Sequence, residues 1–149
     1  MQNGYLIAKL RIKQNISQKD MADMLNLGIT SYKFFEANLR PMGIKELNII
    51  SNYFKISLNT LLNITDKIIY QNSSDIDYKY LKFSLKYIRK INRITQKELA
   101  KEFMMTPTTI SKYEKDPSNI NANYLYLFAK KFNISIDYIC GKTLKKEVL

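Results

Sequence analysis

The chain has 149 residues, 46% of them apolar and 12% aromatic, and a formal net charge of +11. It can therefore bury a core, as one ordinary domain or two small ones, and its charge suggests a polyanionic partner, nucleic acid before an anionic membrane surface. One cysteine, Cys140, no histidine and four scattered glycines leave no intrachain disulfide, no zinc or redox set and no phosphate-cradling loop.

No run approaches the roughly 18 to 20 apolar residues that span a membrane. The N-terminal "MQNGYLIAKLRIKQN" lacks a signal peptide's apolar region and small-residue cleavage site. The expectation is a cytoplasmic protein without cofactor or metal. It is not expected to be an enzyme, since no carboxylate pair or nucleophile–base set stands out.

The chain repeats itself, so its elements are best taken copy by copy. A shift of 78 residues lays "ISQKDMADML" (16–25) on "ITQKELAKEF" (94–103), and "NYFKISLNTLL" (52–62) on "KKFNISIDYIC" (130–140). Over residues 11–65 it pairs 12 identical residues in 55 positions, among them Arg11, Gln18, Ala22, Thr30, Glu36 and Leu47 with their partners. Chance would give about a third of that. Two homologous domains are the natural reading, at 1–66 and 79–149.

The first copy carries a net charge of +3. Between the copies, residues 67–78 carry −1 and contain the polar cluster "QNSSD" (71–75), which reads as a linker. Fully extended, it would reach about 40 Å; part of "DKIIY" is alternatively expected to pack on the first domain. The second copy carries +9, most of the electrostatic pull.

The second copy opens with Leu81, Leu85, Ile88 and Ile91 on one helical face. "TQKE" (95–98) is a capping-box signature that opens a short helix through Phe103. After a turn at Met104–Met105, "TPTTISKYEK" (106–115) starts another, with Thr106 as hydroxyl cap and Pro107 where no amide hydrogen is needed. The loop "DPSNIN" precedes a helix around "YLYLFAKKF", and Ser135 caps a last helix with Asp137 in its first turn. Five short helices per copy give an all-α fold.

Two short helices, a tight turn and a hydroxyl-rich second helix resemble the lambda-repressor-like (XRE, Cro-type) helix-turn-helix family. The second copy carries the resemblance in "TQKELAKEFMMTPTTISKYEK", Leu125 and "FNISIDYICG". The first, more eroded, carries it in "SQKDMADMLNLGITSYKFFEA", Leu47 and "FKISLNTLLN". It implies a DNA-binding transcription regulator, of the repressor kind and bacterial or phage origin, acting on nucleoid DNA with its third helix in the major groove. Thr106, Pro107, Thr108, Ser111 and Lys112 then stand where the family touches DNA, with Thr109 close by. Hydroxyls can bond base edges, and a Thr methyl can meet the thymine methyl. Gln96 matches a position that grips the DNA backbone, and Ser118 and Asn119 are further phosphate candidates. Arg89 with Glu114, and Arg11 with Glu36, match a structural ion pair; Ala22 and Ala100 match a helix crossing that needs small side chains.

Spacing alone supplies another feature. Lys79, Lys82, Lys86, Arg89, Lys90 and Arg93 fall on one helical face, which is either a solvated surface or a phosphate-facing stripe.

The first copy departs from the family. Gly28 replaces the hydroxyl cap, and Ile29 and Phe34, near Gln18, Thr30 and Lys33, occupy positions that usually face DNA. With Leu39 and Met42 they suggest an apolar patch. It either reads an A·T-rich half-site or holds a protein partner or a second copy, the latter slightly favoured. Asn26 and Met104 stand where the family has a turn glycine, so strain or rearrangement is expected at Met104.

Overall fold

The computed structural model describes residues 3–148, so residues 1, 2 and 149 of the expected domains lie outside the described residues. The first half holds α1 (Asn3–Lys13), α2 (Gln18–Met24), α3 (Ile29–Glu36), α4 (Ile44–Phe54) and α5 (Leu58–Leu61). The second holds α6 (Tyr78–Ile91), α7 (Gln96–Glu102), α8 (Pro107–Lys115), α9 (Ala122–Phe132) and α10 (Ile136–Ile139), with a 3-10 turn at Pro117–Asn119. Among the described residues there is no strand, only two isolated bridges. The fold is all-α.

Local chemistry sets the boundaries. Ser17 and Thr95 open α2 and α7 with full capping boxes, closed by Asp20 and Glu98. Thr106 caps α8 ahead of Pro107, whereas Gly28 opens α3 with no side-chain bond. Asn121 caps α9, and Ser57 and Ser135 cap α5 and α10.

Between α2 and α3, and between α7 and α8, the chain turns the same way. Asn26 and Met104 both take left-handed φ, 54° and 52°. The closing bonds Leu27 N to Ala22 O and Met105 N to Ala100 O are both 2.8 Å. The turn is thus not rearranged; the strain stays local to Met104, whose side chain is 90% exposed. Met104→Gly should raise stability by about 1 kcal/mol, the left-handed penalty less glycine's added unfolded-state freedom. Thermal melting of both chains checks this.

The connecting stretch is docked, not extended. Ser57 N donates to Ile69 O and Gln71 N to Lys55 O, while Ser73 and Ser74 bond Asn52. Ile76 is buried, and Asp77 N donates to Cys140 O before α6 begins.

One apolar cluster runs through both halves, from Ile7 and Met21 through Leu58 and Leu81 to Ile139. The halves meet through bonds that exchange partners under the 78-residue shift. Ile44 N donates to Ile120 O at 2.8 Å, and Ala122 N to Met42 O at 2.7 Å. Leu58 N donates to Asp137 Oδ1 at 2.9 Å, and Ile136 N to Asn59 Oδ1 at 2.8 Å. Swapping residue 42 for 120, 44 for 122, 58 for 136 and 59 for 137 turns each bond into its mate. Such exchange is the mark of a two-fold relation, here within one chain.

Asp137 also accepts Asn59 N and Gln71 Nε2, each at 2.9 Å. Burial pushes its carboxyl above the ordinary range, and those donors only partly oppose the shift. Lys142 crosses to Asn48 and Asn52 at 2.6 and 3.0 Å, and its own burial holds its ammonium below the usual lysine range.

Candidate nucleic-acid interface

Helix α8 is positioned by α7 and by an ion pair at its far end. Ile110 and Tyr113 are buried, so one side of α8 faces the core and the other faces solvent. Thr106, Pro107, Thr108 and Lys112 are exposed, and Thr109 and Ser111 are half-buried. The hydroxyls divide into two groups. Thr106 and Thr109 bond each other at 2.9 Å, and Thr106 Oγ1 also accepts Thr109 N. Their first task is capping. Thr108, Ser111 and Lys112 make no side-chain hydrogen bond among the described residues, which leaves their donors and acceptors open to a ligand.

The loop after α8 carries Ser118, half-buried, and Asn119, exposed. Asp116 Oδ1 accepts Ser118 N, which fixes the loop and holds the Asp116 carboxyl below its usual range.

Behind α8, Arg89 Nε and Nη2 donate to the two oxygens of Glu114 at 2.5 and 2.9 Å, and Nη1 donates to Ile94 O. Gln96 Nε2 donates to Glu114 Oε2 at 2.8 Å, so the side chain expected at the DNA backbone also bonds the ion pair. The first copy repeats all of this with Arg11, Glu36, Ile16 and Gln18, and Tyr32 Oη adds a 2.5 Å bond to Glu36. Burial works to raise both carboxyls, yet the donated bonds outweigh it and hold Glu36 and Glu114 below the ordinary glutamate range. Ala22 and Ala100, expected where small side chains are needed, are both buried.

The cationic face of α6 differs from its helical-wheel reading in two ways. Arg89 is not on it: the side chain turns inward to Glu114 and is only 8% exposed. The remaining lysines are interleaved with aromatics. Phe83 and Tyr87 stack at 5.2 Å between Lys79, Lys82, Lys86 and Lys90.

In the first copy, Thr30 and Lys33 are exposed on α3, and Gln18 is half-buried. Ile29 and Phe34 are each 41% exposed, and Leu39 is 74% exposed. Met42 does not belong to that surface. It is buried, and its backbone carbonyl accepts Ala122 N across the contact between the halves. Phe35 packs against the core.

A family model described as "Helix-turn-helix" matches residues 85–139, and one described as "Helix-turn-helix domain" matches residues 4–67. Both halves are helix-turn-helix domains. They are of the lambda-repressor-like kind and stand in tandem. No curated protein and no solved structure shows a significant match to the chain. In each helix-turn-helix domain the second and third helices and the turn between them are those described above: α2 and α3, then α7 and α8. Such domains point to DNA binding in transcription regulation and typically carry no catalysis. No described helix is long and apolar enough to cross a membrane.

The contact between the helix-turn-helix domains is what the sequence reading misses, since it takes Asp137 only as a first-turn acid. Asn59, Asp137, Asn48, Asn52 and Lys142 carry the contact. A faint signal existed. The 78-residue shift pairs Asn59 with Asp137, a polar position in otherwise mostly apolar short helices.

Proposed function

We propose that the chain is a sequence-specific DNA-binding transcription regulator, a repressor of bacterial or phage origin acting on nucleoid DNA in the cytoplasm. Helix α8 enters the major groove. Thr108 and Ser111 bond base edges, and Lys112 donates to guanine O6 or N7 or to a phosphate. Thr106, Pro107 and Thr109 shape the helix start against the backbone, while Gln96, Ser118 and Asn119 hold phosphates. Arg11 with Glu36, and Arg89 with Glu114, keep each third helix in place.

The observation that carries this reading is the division of hydroxyls on α8. Two cap the helix; among the described residues, Thr108, Ser111 and Lys112 on its outer side make no side-chain hydrogen bond. The excess positive charge of the second half supports it.

A second reading is favoured by Ile29, Phe34 and Leu39, exposed around α3. On this view the first domain, through Ile29, Thr30, Lys33 and Phe34, holds a protein partner or a second chain, and the second domain binds DNA with little specificity.

Selection of sites from random duplex DNA at near-physiological salt separates the two. The wild-type chain should yield a defined motif that the Thr108→Ala/Lys112→Ala chain loses. Motif-free binding that fades steeply with salt would mean the charge supplies backbone affinity alone.

A further inference from the structure

We infer that one chain occupies a complete two-half-site operator by itself, and that this operator is not palindromic. The inference rests on the DNA-reading function proposed above and adds the architecture of the site.

Three observations carry it. The contact between the halves is isologous in form: Ile44–Ile120 exchanges with Ala122–Met42, and Leu58–Asp137 with Ile136–Asn59. A two-fold relation carries each surface onto its equivalent, so the side of α3 that corresponds to the outer side of α8 becomes the second reading surface. The contact also lies just beyond both helices. Gly43 and Asn121 bridge across it, seven residues after α3 ends and six after α8 ends, so each reading helix leads by a short loop into the contact.

Secondly, the contact is built for unlike halves. Asn59 Nδ2 donates to Ser135 Oγ at 2.8 Å, and Asp137 brings one buried carboxylate to the contact. Two second halves paired the same way would bring two buried carboxylates to it, which is costly. Lys142 adds selectivity, since its acceptors Asn48 and Asn52 correspond to Tyr126 and Lys130 in the second half. The docked connection, with Gln71 on Asp137, places the contact within the chain. A second chain is not needed to supply the other reading helix.

Thirdly, the two reading helices differ. Under the shift, Ile29 stands for Pro107, Lys33 for Ser111 and Phe34 for Lys112; of the identical residues in the two helices, Glu36 and Glu114 face inward, and Thr30 and Thr108 agree on the exposed side. Hydroxyls and an ammonium on α8 suit polar base edges. Exposed Ile29 and Phe34 on α3 suit thymine methyls. The two half-sites, about one helical turn apart, must therefore differ in sequence.

The test is selection with the full chain, followed by native mass spectrometry on the winning duplex. The expected result is one chain per duplex and two unlike half-sites about 10 base pairs apart. Phe34→Ala should then relax only the α3 half and Thr108→Ala only the α8 half. Two chains on an inverted repeat, or a single half-site indifferent to Phe34→Ala, would overturn the inference and leave the DNA-reading function standing. Binding without any motif would sink that function, and the operator architecture with it.

Discussion

Arg89→Ala should cost about 3–5 kcal/mol of folding stability, because it strands the buried Glu114 carboxylate. In the wild-type chain that carboxylate accepts two bonds from the guanidinium and one from Gln96. Only the Gln96 bond would survive. The matching change in the first half, Arg11→Ala, should cost less. Glu36 would keep both Gln18 and Tyr32, and its ion pair is slightly more open, at 12% and 8% exposure against 8% and 3%. Denaturant unfolding of the three chains at neutral pH checks the order.

The same cluster sets an acid limit. In the folded chain the bonds donated to Glu36 and Glu114 hold both carboxyls below the ordinary glutamate value of 4.5. Their contribution is present above that value and is lost as pH falls through the lower folded values. Stability should decline with acidity below about pH 4.5, and less so in the Glu114→Gln chain, which has already lost part of it.

Asp137→Ala should be the other costly change. It removes the acceptor of two backbone amides, Leu58 and Asn59, and of the Gln71 side chain. Each buried donor left unpaired costs about 1–3 kcal/mol. The loss is expected at the contact between the halves and not inside either one. Hydrogen exchange should therefore rise first at Leu58 and Asn59, while the amides of α7 and α8 keep their protection. Uniform loss of protection would show that the halves unfold as one unit. Because burial raises the Asp137 carboxyl, its ionisation works against folding. That part of stability is present at low pH and declines as pH rises through the folded value.

Much of this was legible in the sequence because it is written in short-range chemistry. Thr95 with Glu98, Thr106 with Pro107 and Ser135 mark helix starts by residues three apart or fewer, and the structure caps helices there. The repeat carried the ion pairs, since Arg11–Glu36 and Arg89–Glu114 keep one separation in both copies. What stayed hidden depends on distant partners. The helical wheel gives Arg89 a place among the lysines of α6 beside its ion-pair reading, and only the partner on another helix decides for the inward one. Met42 reads as part of an apolar patch until the other half covers it. Asp137 reads as a first-turn acid that favours its own helix; its carboxylate instead accepts the first amides of α5 in the other domain.

Entry of α8 into the major groove can be read from the amide NMR spectrum of the chain as an operator-length duplex is added. Shifts should gather at Thr106–Lys112 and at Ser118–Asn119, with a matching set on α3 at Ile29–Phe34. Shifts confined to the lysine face of α6, from Lys79 to Lys90, with α8 unmoved, would contradict it.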